Sequence, residues 1–211
     1  MKKTELALIA VEELKKLYPD AKCSLNADTP FQLLIATRLS AQCTDARVNL
    51  VTPALFSEFG TAEKMAVAPL EKIENHIKSC GLYKTKARDL IEISKAIVND
   101  FDGVVPDTIE KLTTLSGVGR KTANLICGDV YGKPAVVTDT HFIRIMGRLG
   151  LTEGTDPKNV EMQAKKILPP TESNDFCHRI VLFGRDICSA RSPKCDICPL
   201  STVCKKKGVK K

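Results

Sequence analysis

Residues 115–123 of the chain read LSGVGRKTA and join two segments with helical periodicity. Their two glycines, Gly117 and Gly119, allow a tight turn and expose backbone amides at the start of the second helix. The partial positive charge of a helix N-terminus favours an anion such as a phosphate at that point. Spacing alone leaves two interpretations open, a phosphate-binding turn and a plain connection between helices.

Arg120 and Lys121, which follow the turn, favour the first interpretation. Two cations in the first turn of a helix face the positive end of its dipole, which costs about 0.3–1 kcal/mol for each. A contact with a phosphate explains Arg120. Positive charge crowded around a lysine favours its neutral, nucleophilic amine, so Lys121 is a candidate nucleophile. The alternative for Lys121 is a second phosphate contact.

Four of the nine cysteines form the pattern Cys188-x6-Cys195-x2-Cys198-x5-Cys204, whereas the other five follow no pattern. Four thiolates on one short loop suit a tetrahedral metal ion or an iron–sulfur cluster, and this spacing excludes neither. Four internal ligands leave no open coordination position. We therefore expect a structural centre.

The basic charge is concentrated near the same loop. Residues 177–211 contain nine Lys and Arg against two acids, which equals the formal net charge of +7 for the whole chain. Such a segment favours a phosphate backbone as partner, because neutralised phosphates release counterions. The alternative is a solubilising tail. No stretch approaches the length of a membrane span, and the N-terminus reads as an amphipathic helix rather than a signal peptide.

Helical signals predict an all-α protein with about ten helices. The only strand-like segment, residues 135–137, is too short to build a sheet. A change in composition near residues 132–134 predicts a domain boundary, and Pro53 is expected to kink or restart its helix. The predicted helices cover residues 1–18, 31–42, a segment from Thr44, 69–80, 84–100, 108–115, 119–131, 139–150, 157–168 and 173–187.

The chain resembles the helix-hairpin-helix DNA glycosylases, and among them the endonuclease III family. The resemblance covers nearly the whole chain and is carried by LSAQCTD at 39–45, GLY at 81–83, GVGRKTA at 117–123, DTH at 139–141 and the cysteine spacing. Ser116, where the family often has proline, departs from the pattern, as do Cys43 and Thr138.

The resemblance implies two helical lobes with DNA bound in a cleft. One would be a six-helix barrel domain with the helix-hairpin-helix, residues 22–133. The other would be an iron–sulfur domain formed by residues 1–21 and 134–211. In that domain a [4Fe-4S] cluster would be held by Cys188, Cys195, Cys198 and Cys204.

The resemblance also implies an activity, the excision of oxidised pyrimidines followed by a nick at the abasic site. Lys121 would attack C1′ of the sugar, and β-elimination would then cleave the strand on the 3′ side. Asp139 would stabilise the cationic sugar and help to move the lysine proton. An N-cap of the following helix is the alternative role of Asp139.

Several residues are expected to contact DNA. By resemblance, Gln42 and Leu82 would fill the space left by a flipped base; the alternatives are a turn cap for Gln42 and a core position for Leu82. We expect Arg191 and Lys194 in the cysteine loop to bind phosphates. The predicted contacts are Gln42, Leu82, Gly117, Val118, Gly119, Arg120, Arg191 and Lys194.

The expected partner is double-stranded DNA with damaged bases or abasic sites, bound by a cytoplasmic, nucleoid-associated monomer. One alternative is a mismatch-specific adenine or thymine glycosylase, but these commonly lack a lysine at the position of Lys121. The other is a non-catalytic zinc module that binds DNA. That reading gives no reason for Lys121 and Asp139 together.

Overall fold

The computed structural model describes residues 1–209, and within these residues no β-strand occurs. The all-α prediction is therefore confirmed for this part of the chain. None of its helices is both long and apolar enough to cross a membrane. The helices are α1 (Lys3–Leu17), α2 (Pro30–Leu39), α3 (Asp45–Phe59), α4 (Ala62–Ala66), α5 (Leu70–Ile77), α6 (Tyr83–Asp100), α7 (Ile109–Leu112), α8 (Arg120–Asp129), α9 (Thr140–Leu149), α10 (Pro157–Ala164) and α11 (Ser173–Asp186), with 3-10 turns at Lys78–Cys80 and Cys195–Ile197.

The chain divides into two compact units. The first combines Met1–Lys22 with the chain from Gly132 onward, and the second is Cys23–Tyr131. Compared with the predicted domain of residues 22–133, the second unit lacks Lys22, Gly132 and Lys133.

The second unit is built around an apolar core to which α2 through α8 contribute. Leu34, Ile35, Leu55 and Leu90 are fully buried in this core. The helix does not restart at Pro53, because α3 continues through this residue as one helix. Val48 and Leu55 are buried before and after the proline, so packing of one face holds the helix together despite the lost backbone donor.

Local signals account for most helix starts. Thr29 caps α2 by accepting a hydrogen bond from the Gln32 amide at 3.2 Å, and Pro30 follows it in the first turn. Periodicity did not predict α4, because its five residues form little more than one turn. The α7 helix is also shorter than the predicted 108–115.

The first unit joins the beginning of the chain to its later part. Leu6, Ala10 and Leu14 form a buried face on α1. Beside it, Lys15 Nζ donates to the Glu172 carboxylate at 2.6 Å. Arg179 Nη1 donates to the same carboxylate at 2.8 Å, so a single acid links α1 and α11.

We predict a pH-dependent contribution of Glu172 to stability. The hydrogen bonds from Lys15 and Arg179 hold the pKa of Glu172 below its usual value. A lowered folded-state pKa stabilises the protein above the unfolded value, about 4.3, and the effect disappears as pH falls through the folded value. Glu172→Gln should therefore lower the free energy of unfolding by about 1 kcal/mol at pH 7. In urea denaturation the loss should shrink below pH 4.

Glu92→Gln is the matched control, because Glu92 forms an exposed pair with Lys95 on α6. It should change stability little at either pH. A Glu172→Gln loss that stays constant from pH 7 to pH 3 would contradict the account.

Candidate active site and metal centre

The helix-hairpin-helix lies in the second unit, where residues 113–119 connect α7 to α8. Gly117 adopts φ +66°, in the left-handed region, and Gly119 is the N-cap of α8 with φ −91°. Between them, Val118 is buried at 5% exposure and anchors the turn to the core. Arg120 and Lys121 occupy the first helical turn, and the Lys121 side chain is exposed.

An ion pair behind the turn fixes its path. Arg38 Nη2 lies 2.5 Å from the Asp89 carboxylate, and both side chains are largely buried. The hydroxyl of Ser116 donates to the other Asp89 oxygen at 2.7 Å. Asp89 thus joins α2, α6 and the hairpin turn. The serine that replaces the usual proline has a specific partner here.

The two glycines serve different purposes. A Cβ on Gly117 would lie 2.3 Å from Arg38 Nε and 2.9 Å from Asp89 Oδ2, so a side chain there would displace the ion pair. At Gly119, by contrast, no described atom lies within 4 Å of the place of a Cβ. Gly119 also provides no side-chain cap for α8, and an uncapped helix N-terminus suits an anion such as a phosphate.

Gln42 and Leu82 share an unusual backbone conformation. Their φ angles are +54° and +48°, and such a conformation costs a non-glycine residue about 1–2 kcal/mol. Leu82 is 62% exposed, so it is not the core residue that was the alternative reading. Gln42 is also exposed. The N-cap of α3 is Thr44, which accepts a hydrogen bond from the Arg47 amide, so Gln42 is not the cap of this helix.

Asp139 caps α9 in the first unit. Its Oδ1 accepts a hydrogen bond from the Phe142 amide at 2.7 Å, which gives the half-buried carboxylate a fixed position. The cap uses Oδ1 alone. The N-cap role, which was the alternative for Asp139, is therefore confirmed. It does not exclude a catalytic role for the same carboxylate.

The four predicted ligands line one cavity of the first unit. Within residues 1–209, however, no three His, Cys, Asp or Glu side chains converge closely enough to hold a single metal ion. Four thiols that line one cavity suit a tetrahedral metal ion or an iron–sulfur cluster. The lining cysteines are Cys188, Cys195, Cys198 and Cys204.

The cavity also has the chemistry of a cluster site. Burial raises the pKa of the Cys198 and Cys204 thiols, and the neighbouring thiols raise it further. Binding as thiolates therefore requires the positive charge of a metal centre. Arg148 Nη1 lies 3.3 Å from Cys188 Sγ and can donate to that thiolate.

Two arginines of α9 hold the start of the cysteine loop. Arg148 donates to the carbonyl oxygens of Ser189 and Ala190, each at 2.7 Å. Arg144 donates to the Cys188 carbonyl at 3.0 Å. Arg191 and Lys194, the predicted phosphate contacts, lie farther along the same loop and are exposed.

Sequence reasoning missed the side chains that brace these sites. Arg38 and Arg148 interrupt apolar helix faces, in LLIATRL and FIRIMGRL, and that interruption was the available signal. Nothing in the sequence identified their partners, because Arg38 and Asp89 are 51 residues apart. Arg144, which donates to the Cys188 carbonyl, was missed as well.

Comparisons with known proteins find similarity over most of the chain. Residues 35–170 match the HhH-GPD superfamily of base excision DNA repair proteins, and residues 188–204 match the iron–sulfur binding domain of endonuclease III. The chain is 47% identical to endonuclease III of Synechocystis sp., over 95% of this chain and 90% of that protein. Identity to endonuclease III of Bacillus subtilis is 40%, over 92% and 90%.

The fold is similar as well. A solved structure of a trapped endonuclease III–DNA covalent intermediate, an estranged-adenine complex, matches with a TM-score of 0.90. The match covers 98% of this chain and 97% of that one, at 40% sequence identity.

The two hairpin glycines give a direct test of the turn. Gly117→Ala should lower the free energy of unfolding by about 1–3 kcal/mol, because it adds backbone strain and displaces the Arg38–Asp89 pair. Gly119→Ala should cost less than about 1 kcal/mol, since its φ is ordinary and the space is open. Denaturation followed by circular dichroism measures both. Equal losses would show that the ion pair does not constrain the turn.

Proposed function

The chain belongs to the endonuclease III family of the HhH-GPD superfamily of base excision DNA repair proteins, and we propose that it removes oxidised pyrimidines from duplex DNA and then cleaves the strand. The main support for the proposed chemistry is the position of Lys121. It stands exposed in the first turn of α8, directly after an uncapped glycine turn. A cation at the positive end of a helix is unfavourable for stability, so its position calls for a functional reason.

Lys121 supplies the nucleophile. Its neutral Nζ forms a bond to C1′ of the damaged nucleotide while the glycosidic bond breaks, and the base leaves with a proton. Opening of the sugar ring gives an iminium between Lys121 and C1′. Loss of a C2′ proton and cleavage of the C3′–O bond release the 3′ phosphate, and water then frees the lysine.

Asp139 supports the same reaction. Its carboxylate stabilises the positive charge that develops on the sugar and accepts the proton that Lys121 must lose before attack. The hydrogen bond from the Phe142 amide holds the carboxylate, so little reorganisation is needed during the reaction.

Binding is divided among several segments. The N-terminus of α8 and Arg120 bind backbone phosphates next to the lesion. The damaged base leaves the stack, and Leu82 acts as an apolar wedge while Gln42 hydrogen-bonds the orphaned base. The exposure of both side chains supports these roles.

The four cysteines hold a [4Fe-4S] cluster. This group cross-links the C-terminal loop, and its four protein ligands leave no position for a substrate. Arg191 and Lys194 on the same loop bind phosphates without reading the sequence. We further propose that the protein acts as a monomer in the cytoplasm, at the nucleoid.

Two features favour this function over the alternatives. Mismatch-specific glycosylases commonly lack a lysine at the position of Lys121. The match of residues 188–204 to the iron–sulfur binding domain of endonuclease III disfavours a zinc module.

Substitution of the two central residues tests the reaction. Lys121→Gln should lose base release and strand cleavage while retaining duplex binding. Asp139→Asn should retain binding and lose most turnover, by a factor of about 10²–10⁴ as for other acid–base groups. Rates on duplexes with thymine glycol or an abasic site, together with borohydride trapping, measure these effects.

Lys95→Gln removes an exposed lysine of α6 and should behave as wild type. Undiminished trapping by Lys121→Gln would refute the assignment of the nucleophile. Undiminished base release by Asp139→Asn would leave Asp139 as a helix cap only.

The phosphate contacts of the cysteine loop have a separate test. Replacing Arg191 and Lys194 together by alanine should weaken binding equally for all sequences. It should also make the negative slope of log affinity against log salt less steep by about 1.8, since each lost phosphate contact contributes about 0.9. The control replaces the exposed Lys158 and Lys166, which removes the same charge. If both double variants change the slope equally, the loop makes no particular phosphate contact.

A further inference from the structure

Lys86 on α6 is a fully buried lysine, with 1% of its surface exposed. Its Nζ donates to the carbonyl oxygen of Leu39 at 2.8 Å and to that of Cys80 at 2.7 Å. Both acceptors are neutral carbonyls rather than carboxylates. Burial also lowers the pKa of Lys86, which indicates an environment that opposes its charge.

The two carbonyls lie just before two loops, residues 40–43 and 81–82, which carry the proposed DNA contacts Gln42 and Leu82. Leu39 ends α2, three residues before Gln42, and Cys80 ends a 3-10 turn, two residues before Leu82. A single ammonium group therefore connects the segments that carry both proposed gap-filling side chains. The second unit contains all of these residues.

Both loops need such support. Gln42 and Leu82 have positive φ angles, and residues other than glycine keep this conformation only where their surroundings determine it. Their side chains are exposed, so side-chain burial does not hold them in place. Hydrogen bonds to the carbonyls that precede each residue provide the missing constraint.

Stability alone does not account for the lysine. A methionine has nearly the same length, fills the same space, and avoids the cost of burying an ammonium group. Methionine cannot donate a hydrogen bond, whereas the lysine ammonium has three N–H donors on one atom and can hold two carbonyls at one point.

We propose that Lys86 is a positioning residue for base extrusion, holding residues 40–43 and 81–82 so that Gln42 and Leu82 enter the duplex together. The inference rests on the proposed function. It assigns to Lys86 no contact with DNA and no part in the chemistry at C1′.

The test compares two substrates that differ in their need for a wedge. A duplex with thymine glycol requires the base to leave the stack, whereas a single-stranded abasic oligonucleotide has no opposite base and no gap to fill. Lys86→Met should slow single-turnover excision from the duplex by about tenfold or more. Cleavage of the single-stranded oligonucleotide should stay within about twofold of wild type, because the lysine nucleophile is unaffected.

Three controls separate positioning from other effects. Lys95→Met, an exposed position on the same helix, should leave both rates unchanged. Lys86→Gln keeps one donor group and should reduce the duplex rate less than methionine does, which preserves the test if Lys86→Met does not fold. Adding Lys86→Met to a Gln42→Ala, Leu82→Ala variant should cause little further loss, because the three act as one unit.

The outcomes are distinct. Equal losses on both substrates, an unchanged duplex rate in both Lys86 variants, or a full additional loss in the triple variant would each overturn the positioning role. If the wild type cleaves neither substrate, the proposed function fails, whatever the Lys86 variants do.

Discussion

The largely buried ion pair between Arg38 and Asp89 is the constraint on which the hairpin depends. It occupies the space against which Gly117 turns, and its second carboxylate oxygen holds Ser116. The turn therefore follows one path, which fixes where α8 begins. That starting point in turn decides where Arg120 and the Lys121 amine stand. The Arg38–Asp89 pair thus determines the position of Lys121, the candidate nucleophile, although it does not belong to α8.

Buried cations that bind main-chain carbonyls recur in both units. Lys86 holds the ends of α2 and of a 3-10 turn, and Arg148 holds the loop that follows α11. A helix C-terminus leaves carbonyls without partners and bears partial negative charge, so a cation is a favourable partner there. Each of these carbonyls precedes a segment that we propose to contact DNA or the cluster. The same solution supports loops that ordinary side-chain packing would leave loose.

The sequence predicted what depends on neighbouring residues, and missed what depends on distant ones. The Gly117–Gly119 turn, the Asp139 cap and the cysteine spacing are local patterns, so each could be recognised in the sequence. The partner of Arg38 and both acceptors of Lys86 are brought close only by the tertiary fold. Packing also overrode a local rule at Pro53, where buried neighbours keep α3 whole. Short helices such as α4 carry too few residues for periodicity to show.

The most direct measurement identifies the amine that bonds to the sugar. The protein is mixed with a duplex that carries an abasic site, the imine is reduced with borohydride, and the adduct is located by tryptic digestion and mass spectrometry. The account predicts a sugar adduct on Lys121, in a peptide that begins at this residue because trypsin cleaves after Arg120. An adduct on another lysine or on the N-terminal amine, with Lys121 unmodified, would contradict it.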